Sequence, residues 1–311
     1  MEKLIAQFAE NDKFVGQFLV GNVSKGTNAS GSIYLNVELR DSSGVINGKK
    51  WEVFTGDEEL FQIGNILYIE GDTIKYKDAL QVKILLAKPV DINDIDPTRF
   101  VKAPPVAKDE LIRRFNEYVA MVKDEEYAKV IHFFIKKYET KLYDYPAGVS
   151  VHHEYASGLL MHVTSMCKLA LFIADNYEDI DRDLLLTGCL LHDLGKLTEL
   201  EGPAVYKYSL EGRLVGHISI MMGDIREAIH ALNISKEKGI LLEHMIISHH
   251  GQAEFGSPVM PLTKEALILS MVDNLDSKLA VITKAIEATP EGEFSGKIYP
   301  LDGRCFYKPK K

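Results

Sequence analysis

The stretch LLLTGCLLHDLGKL, residues 184–197, places a histidine and an aspartate directly behind eight apolar or small residues. An imidazole or a charge among such neighbours is costly unless something pairs it. Neighbouring residues of a helix point about 100° apart, so His192 and Asp193 suit a helix end lying across a site better than a single helical face. Gly195 reads as the C-cap that stops this helix. The exit then gathers His192, Asp193 and Lys196 where the chain leaves the core.

The pattern recurs on either side. His162 lies in GLLMHVTSM, His217 in GHISIM, His249 and His250 in SHHG, and Asp273 in VDNLDSK, each in or beside an apolar helical pattern. Taken singly, such a histidine is more often a satisfied core or surface residue, an adjacent His-Asp pair recurs by chance, and Asp273 has the reading of a polar face residue. The ordered set over residues 162–273 changes that balance. Imidazoles and carboxylates gathered together suit first-row divalent metals. The candidate ligands are His162, His192, Asp193, His217, His249, His250 and Asp273, with Asp193 bridging two ions and His250 either ligating the second ion or touching substrate. Two ions roughly 3.5–4 Å apart can activate water and stabilise the leaving oxygen of a phosphodiester. Asp193 and Lys196 are therefore the candidate catalytic pair, Lys196 as a point charge toward phosphate. His152 and His153, ahead of a helix start in SVHHEYASG, are candidate substrate-binding residues lining the cleft. His132, His230 and His244 read as structural.

The surrounding chain divides in two. Its 311 residues suit two domains, and 46% hydrophobic with 26% charged residues is an ordinary globular composition. Residues 1–90 read as β. IYLNVELRD alternates Ile33, Leu35, Val37 and Leu39 against Tyr34, Asn36, Glu38 and Arg40. Asn47-Gly48 is a hairpin signal, and Gly71-Asp72 and Lys77-Asp78 mark turns between further strands. Five short strands, with at most a short helix over 57–61, suit a small closed barrel such as the OB-fold. Residues 91–108 hold three prolines and read as a linker. From 109 to 286 the apolar spacing is helical, first on Leu111, Ile112, Phe115, Val119 and Val122, then on Tyr127, Val130, Ile131, Phe134 and Ile135. Further helices are expected near 155–176, 182–193, 216–231, 235–248 and 263–286, the last opened by Pro261 and Thr263. Residues 287–311 read as an extended tail. Its Phe294, Tyr299, Phe306 and Tyr307 are expected to pack on a domain face or on a second copy in a homo-oligomer.

Several classes are disfavoured. No apolar run approaches the roughly 18 residues that span a bilayer, which argues against a membrane protein, and the N-terminus lacks a signal-peptide core. Cys167, Cys189 and Cys305 are scattered, as befits reduced thiols in a cytoplasmic protein. The net charge is −9, with 10 basic against 12 acidic side chains over residues 1–90 and 26 against 33 beyond. Nucleic-acid binding must then rest on a local groove, on stacking, or on bound cations that offset the acids.

The order H…HD…D on helices resembles the HD-domain metal phosphohydrolases, and the added histidines resemble the bimetallic members of that superfamily. HHEYASGLLMHVTSM, LLHDLGKLTELEGP, GHISIM, SHHGQAEFGSP and DNLDSK together resemble the YhaM-type 3′→5′ exoribonucleases, which join an N-terminal OB domain to an HD domain. The resemblance covers nearly the whole chain, is specific in the helical half and loose in the β half. It implies an all-β OB barrel followed by an all-α HD domain. It also implies removal of nucleotides from RNA 3′ ends with two divalent ions, manganese foremost and iron, cobalt or zinc as alternatives, and some action on single-stranded DNA. Bimetallic relatives can carry a glutamate one turn before the first histidine. Here that position is Gly158, which puts a third metal in doubt.

An OB barrel holds single strands by stacking bases on exposed aromatics above a shallow groove. Tyr34 is outward by the alternation above. Trp51, Phe54, Tyr68 and Tyr76 are further candidates, with Lys49, Lys50, Lys75 and Lys77 nearby. Most aromatics of a small barrel are core, the sole tryptophan above all, and lysines in hairpins are usually solvated tips. Three functions compete: an exoribonuclease, a phosphohydrolase of nucleotides or cyclic dinucleotides, and a non-enzymatic strand-binding regulator. The first alone explains both a complete ligand set and a strand-holding barrel.

Overall fold

The computed structural model describes residues 3–28, 30–76, 79–91, 95, 99–100, 105–147, 156–202 and 206–310. It divides into two compact units, one of residues 1–103 with 201–207, the other of residues 104–200 with 208–311.

The first unit is a closed barrel of five strands: β1 (Lys13–Thr27), β2 (Ile33–Asp41), β3 (Gly44–Lys50), β4 (Ile66–Tyr76) and β5 (Ala79–Pro89). Their order around the barrel is β1-β2-β3-β5-β4, with β3 and β5 parallel. A short helix, α1 (Asp57–Leu60), joins β3 to β4. This is the OB architecture the alternation in β2 implies. Leu35, Val37 and Leu39 point inward among Phe14, Phe18, Leu67, Ile69, Val82 and Ile84. Ile33, at the strand's outer end, is instead half exposed.

Two turn expectations are corrected. Asn47-Gly48 lies inside β3, where Gly48 pairs with Val82 and a Cβ would lie 3.3 Å from Ile84 Cδ1 and from the Val82 carbonyl oxygen. The β2–β3 turn is made at Asp41, whose carboxylate accepts from Ser43 N, Ser43 Oγ and Gly44 N at 2.6–3.1 Å. Gly71 likewise sits within β4, at a register shift; a Cβ there would lie 2.7 Å from the Lys83 carbonyl oxygen. Such bulges supply the bending a small barrel needs. Lys77-Asp78 lies outside the described residues.

The second unit is helical. Its elements are α2 (Lys108–Met121), α3 (Glu125–Lys137), α4 (Gly158–Ala174), α5 (Arg182–Leu191), α6 (Lys196–Glu199), α7 (Leu210–Val215), α8 (His217–Leu232), α9 (Lys236–Ser248) and α10 (Lys264–Glu287). Between α6 and α7 in the chain comes a two-stranded ribbon, β6 (Leu200–Glu201) with β7 (Lys207–Tyr208), whose residues 201–207 are counted with the first unit. Every residue of α5 from Leu184 to Leu191 is buried, and α2, α3, α4, α9 and α10 all pack on it. A helix that is apolar all round belongs in a core. Gly188 allows α9 to cross closely, since a Cβ there would meet Met245 Cε at 2.4 Å. Thr263 caps α10 by accepting from Ala266 N, as expected.

Residues 288–310 do not lie extended. Ser295 N donates to the Phe306 carbonyl and Ile298 N to that of Arg304, closing a small hairpin. Ile298 and Leu301 are its buried apolar members, whereas Phe294 and Tyr307 pack on each other at 5.2 Å and Tyr299 is 83% exposed. Among the described residues no helix is long and apolar enough to cross a membrane.

Asp124 caps α3, accepting from Glu126 N and Tyr127 N, and pairs with Lys238 on α9. Burial works against its ionisation, but the Lys238 ammonium and the capped N–H groups outweigh it and hold the carboxyl below its ordinary value. A depressed carboxyl contributes stability above its unfolded pKa and loses it as pH falls through the folded one. Asp124→Ala should therefore cost about 1–2 kcal/mol at neutral pH. In urea titrations that difference should shrink toward zero below about pH 4.

Candidate metal centre

The buried end of α5 delivers His192 as its C-cap and Asp193 in the turn that follows. Gly195 is not the left-handed C-cap expected. Its φ is −57°, and what the position requires is the absence of a side chain: a Cβ would sit 2.2 Å from the His217 carbonyl oxygen. The turn thus abuts the start of α8, bringing His217 to Asp193. α4 contributes His162, the end of α9 His249 and His250, and α10 Asp273.

These side chains converge. His162, His192 and Asp193 form one group whose ligand atoms all lie within 4.8 Å of one another, and His217, His249 and His250 form a second. Asp193 faces both. Its Oδ2 is 3.6 Å from His162 Nε2 and 3.4 Å from His192 Nε2, while its Oδ1 is 3.6 Å from His217 Nε2 and 3.8 Å from His249 Nε2. Asp273 Oδ1 lies 3.3 Å from His162 Nε2. All seven candidate ligands are therefore brought to one spot.

The donor set fits divalent ions. Among the described residues, His192 Nε2, Asp193 Oδ1, His217 Nε2 and His249 Nε2 are buried with no hydrogen bond, a costly arrangement unless a cation takes their lone pairs. Each of the five candidate imidazoles is held by its other nitrogen. Nδ1 meets Asp276 Oδ2 in His162 (2.7 Å), the Cys189 carbonyl in His192 (3.1 Å), Glu199 Oε1 in His217 (3.2 Å), the Ile246 carbonyl in His249 (2.6 Å) and the Phe255 carbonyl in His250 (2.7 Å). In His192, His217, His249 and His250, holding Nδ1–H this way fixes the tautomer that turns the Nε2 lone pair toward the nest.

The electrostatics agree. Burial disfavours charge on His162, yet Asp273 and Asp276 overcome it and push its pKa up to about 10, so in the protein alone a proton stands where the carboxylates call for positive charge. Burial keeps His249 well below the usual histidine range and hence neutral. Lys196 donates to Asp193 Oδ2 at 2.7 Å. Burial opposes both charges, but Lys196 holds the Asp193 carboxyl well below its normal value, and Asp193 raises Lys196.

Sequence reasoning missed Glu199 and Asp276. Asp276 carried a usable signal, since it follows Asp273 by three residues and so shares its face of α10. Glu199 carried none: it belongs to a four-residue helix and reaches His217 only through the fold. His244 is structural as expected, its Nε2 accepting from Leu262 N at 2.8 Å. Gly158 opens α4 and offers no ligand. His152 and His153 lie outside the described residues.

A second surface lies on the barrel. Tyr34 and Trp51 pack at 4.8 Å between ring centroids, tilted by 37°, with Lys49 Nζ 4.4 and 5.0 Å from the two rings. Trp51 is 41% exposed and so is not the core residue a lone tryptophan suggests; Phe54 is 63% exposed. Both line a cleft of about 540 Å³ with Ile33 and Val53. Lys50 is not a solvated tip. Its Nζ is buried, donates to the Glu52 carbonyl at 2.7 Å and lies 5.0 Å over Phe54.

A barrel of OB type and a helical body with a histidine–aspartate nest define an HD-domain metal phosphohydrolase joined to an OB barrel. The HD domain family matches residues 159–278. The 3′-5′ exoribonuclease YhaM of Geobacillus sp. (strain WCH70) is 39% identical over 310 residues, 99% of this chain and 96% of that protein. Its namesake from Bacillus subtilis (strain 168) is 39% identical over 292 residues, 94% of this chain and 93% of that one. The chain belongs to the YhaM family of 3′-5′ exoribonucleases. Among solved structures, the second OB-fold domain of replication protein A from Methanococcus maripaludis covers 29% of this chain and 96% of its own, at 17% identity and a TM-score of 0.23.

Proposed function

We propose that this protein is a metal-dependent 3′-5′ exoribonuclease that holds single-stranded RNA on its barrel and hydrolyses the terminal phosphodiester at the histidine–aspartate nest. The observation that carries the reading is Asp193, whose two oxygens each face a different pair of imidazoles. Divalent ions held there would supply Lewis acidity and water activation at neutral pH. His162, His192, Asp193 and Asp273 would hold one, and His217, His249, His250 and Asp193 the other. Imidazole with carboxylate accommodates manganese, iron, cobalt or zinc; manganese is our assignment.

Lys196 keeps Asp193 oriented and ionised, and its charge lies within reach of a phosphate bound at that oxygen. Tyr34 and Trp51, flanked by Lys49, offer bases a stacking surface that tolerates any sequence. Single-stranded DNA is a secondary substrate on this reading, and the cytoplasm is the site of action.

A 5′-labelled RNA incubated with and without Mn²⁺ tests the proposal. A ladder shortening from the 3′ end, only with metal, is expected. Turnover of mononucleotides or cyclic dinucleotides alone would favour the small-molecule phosphohydrolase instead, and a retained band shift without cleavage a binding protein. Trp51→Ala should weaken RNA binding by about 1–3 kcal/mol, the worth of one stacked base, while cleavage of a dinucleotide stays unchanged. Fluorescence anisotropy beside a dinucleotide assay separates the two.

A further inference from the structure

Resting on the reading of the nest as a two-metal centre, the geometry points to Asp276 and Glu199 as positioning residues, each governing one ion. Asp276 serves the ion held by His162, His192 and Asp193; Glu199 serves the ion held by His217, His249 and His250. The outer partners of the five imidazoles are not alike. His192, His249 and His250 lean on neutral backbone carbonyls, whereas His162 leans on Asp276 and His217 on Glu199. Each ligand group therefore contains one imidazole backed by a carboxylate.

A carboxylate behind an imidazole makes its far nitrogen a stronger donor and fixes the ring's direction. Both carboxylates are built for this. Asp276 is 8% exposed, with Oδ2 on His162 Nδ1 and Oδ1 accepting from Ser165 Oγ at 2.5 Å. Ser165 and His162 lie on the same helix, so α4 supplies both the ligand and the group that steadies its backing. Glu199 is equally buried. Its Oε1 accepts from the His217 backbone N at 3.1 Å as well as meeting the ring at 3.2 Å. One glutamate oxygen thus fixes where α8 begins and how its first side chain points. The two carboxylates reach the centre from different helices and touch different rings, so the charge on each acts most strongly on the ion held by its own ring.

The test is calorimetric titration of chelator-stripped protein with Mn²⁺, which reads binding without any turnover. Asp276→Asn and Glu199→Gln keep the shape and one acceptor oxygen, and exchange the charge and the second oxygen for a neutral amide NH2. The unaltered protein should bind two ions. Each variant should bind one of them about 10–100-fold more weakly and the other normally. In a His250→Ala background, where the first ion alone remains tightly held, Asp276→Asn should weaken it and Glu199→Gln should not. Ser165→Ala, a milder change at a half-buried position of α4, should weaken the same ion as Asp276→Asn by a smaller factor. It stands in should Asp276→Asn fail to fold. Equal weakening of both ions, or no weakening of either, would overturn the division of labour while leaving the two-metal reading intact. No Mn²⁺ binding by the unaltered protein would overturn both.

Discussion

Asp193→Asn is expected to lower cleavage by at least about 10³-fold, roughly 4 kcal/mol of barrier, while RNA binding to the barrel stays nearly intact. The substitution keeps the shape and removes the charge of the carboxylate whose two oxygens each face a different pair of imidazoles. An amide also keeps only one oxygen and turns N–H donors toward the other pair of ring nitrogens, so it cannot ligate an ion on each side. A second loss accompanies the first. Lys196 is buried, with its ammonium 2.7 Å from Asp193 Oδ2, and stripping a buried charge of its partner costs about 3–5 kcal/mol. Thermal melts must therefore accompany the assay. Asp193→Asn combined with Lys196→Met should regain stability and remain inactive, which separates lost chemistry from a damaged fold. Undiminished turnover by a folded Asp193→Asn protein would refute the bridging role.

Removing the metals should have the second-largest effect. The lone pairs of His192, His217 and His249 converge unsatisfied on a buried spot, and filling it stabilises the folded state alone. An ion at a hundredfold excess over its dissociation constant adds about 2.7 kcal/mol. Two such ions should raise the melting temperature of a helical body this size by about 10–20 °C. Stripping with a chelator and refilling with Mn²⁺, followed by scanning calorimetry, measures it. A melt indifferent to Mn²⁺ would mean that the nest is satisfied some other way.

The candidate ligands, which the fold brings to one spot, stood out in the sequence because they break an apolar context. A histidine after GLLM or a His-Asp after LLLTGCLL has no cheap way to be buried, so residue type and surroundings together announce a site. The helices were legible for a related reason, since stripes such as Leu111, Phe115 and Val119 repeat at the period of the α-helix. What stayed hidden depends on contacts between distant segments. Asn47-Gly48 has the composition of a turn, but pairing of β3 with β5 decides the matter, and that pairing joins residues more than thirty positions apart. Gly195 has the composition of a helix stop and is instead a point of contact with α8. Glu199 and Asp276 look like ordinary polar helix residues until the fold sets them behind His217 and His162.

The seclusion of α5 has a consequence for how the protein fails. A segment enclosed on every side exchanges its amide hydrogens only when the whole helical body opens. The His-Asp turn is its direct continuation and inherits that protection. Deuterium should reach the amides of residues 184–193 last, and warming should abolish catalysis and the α-helical circular dichroism at one temperature, with no species that is folded yet dead.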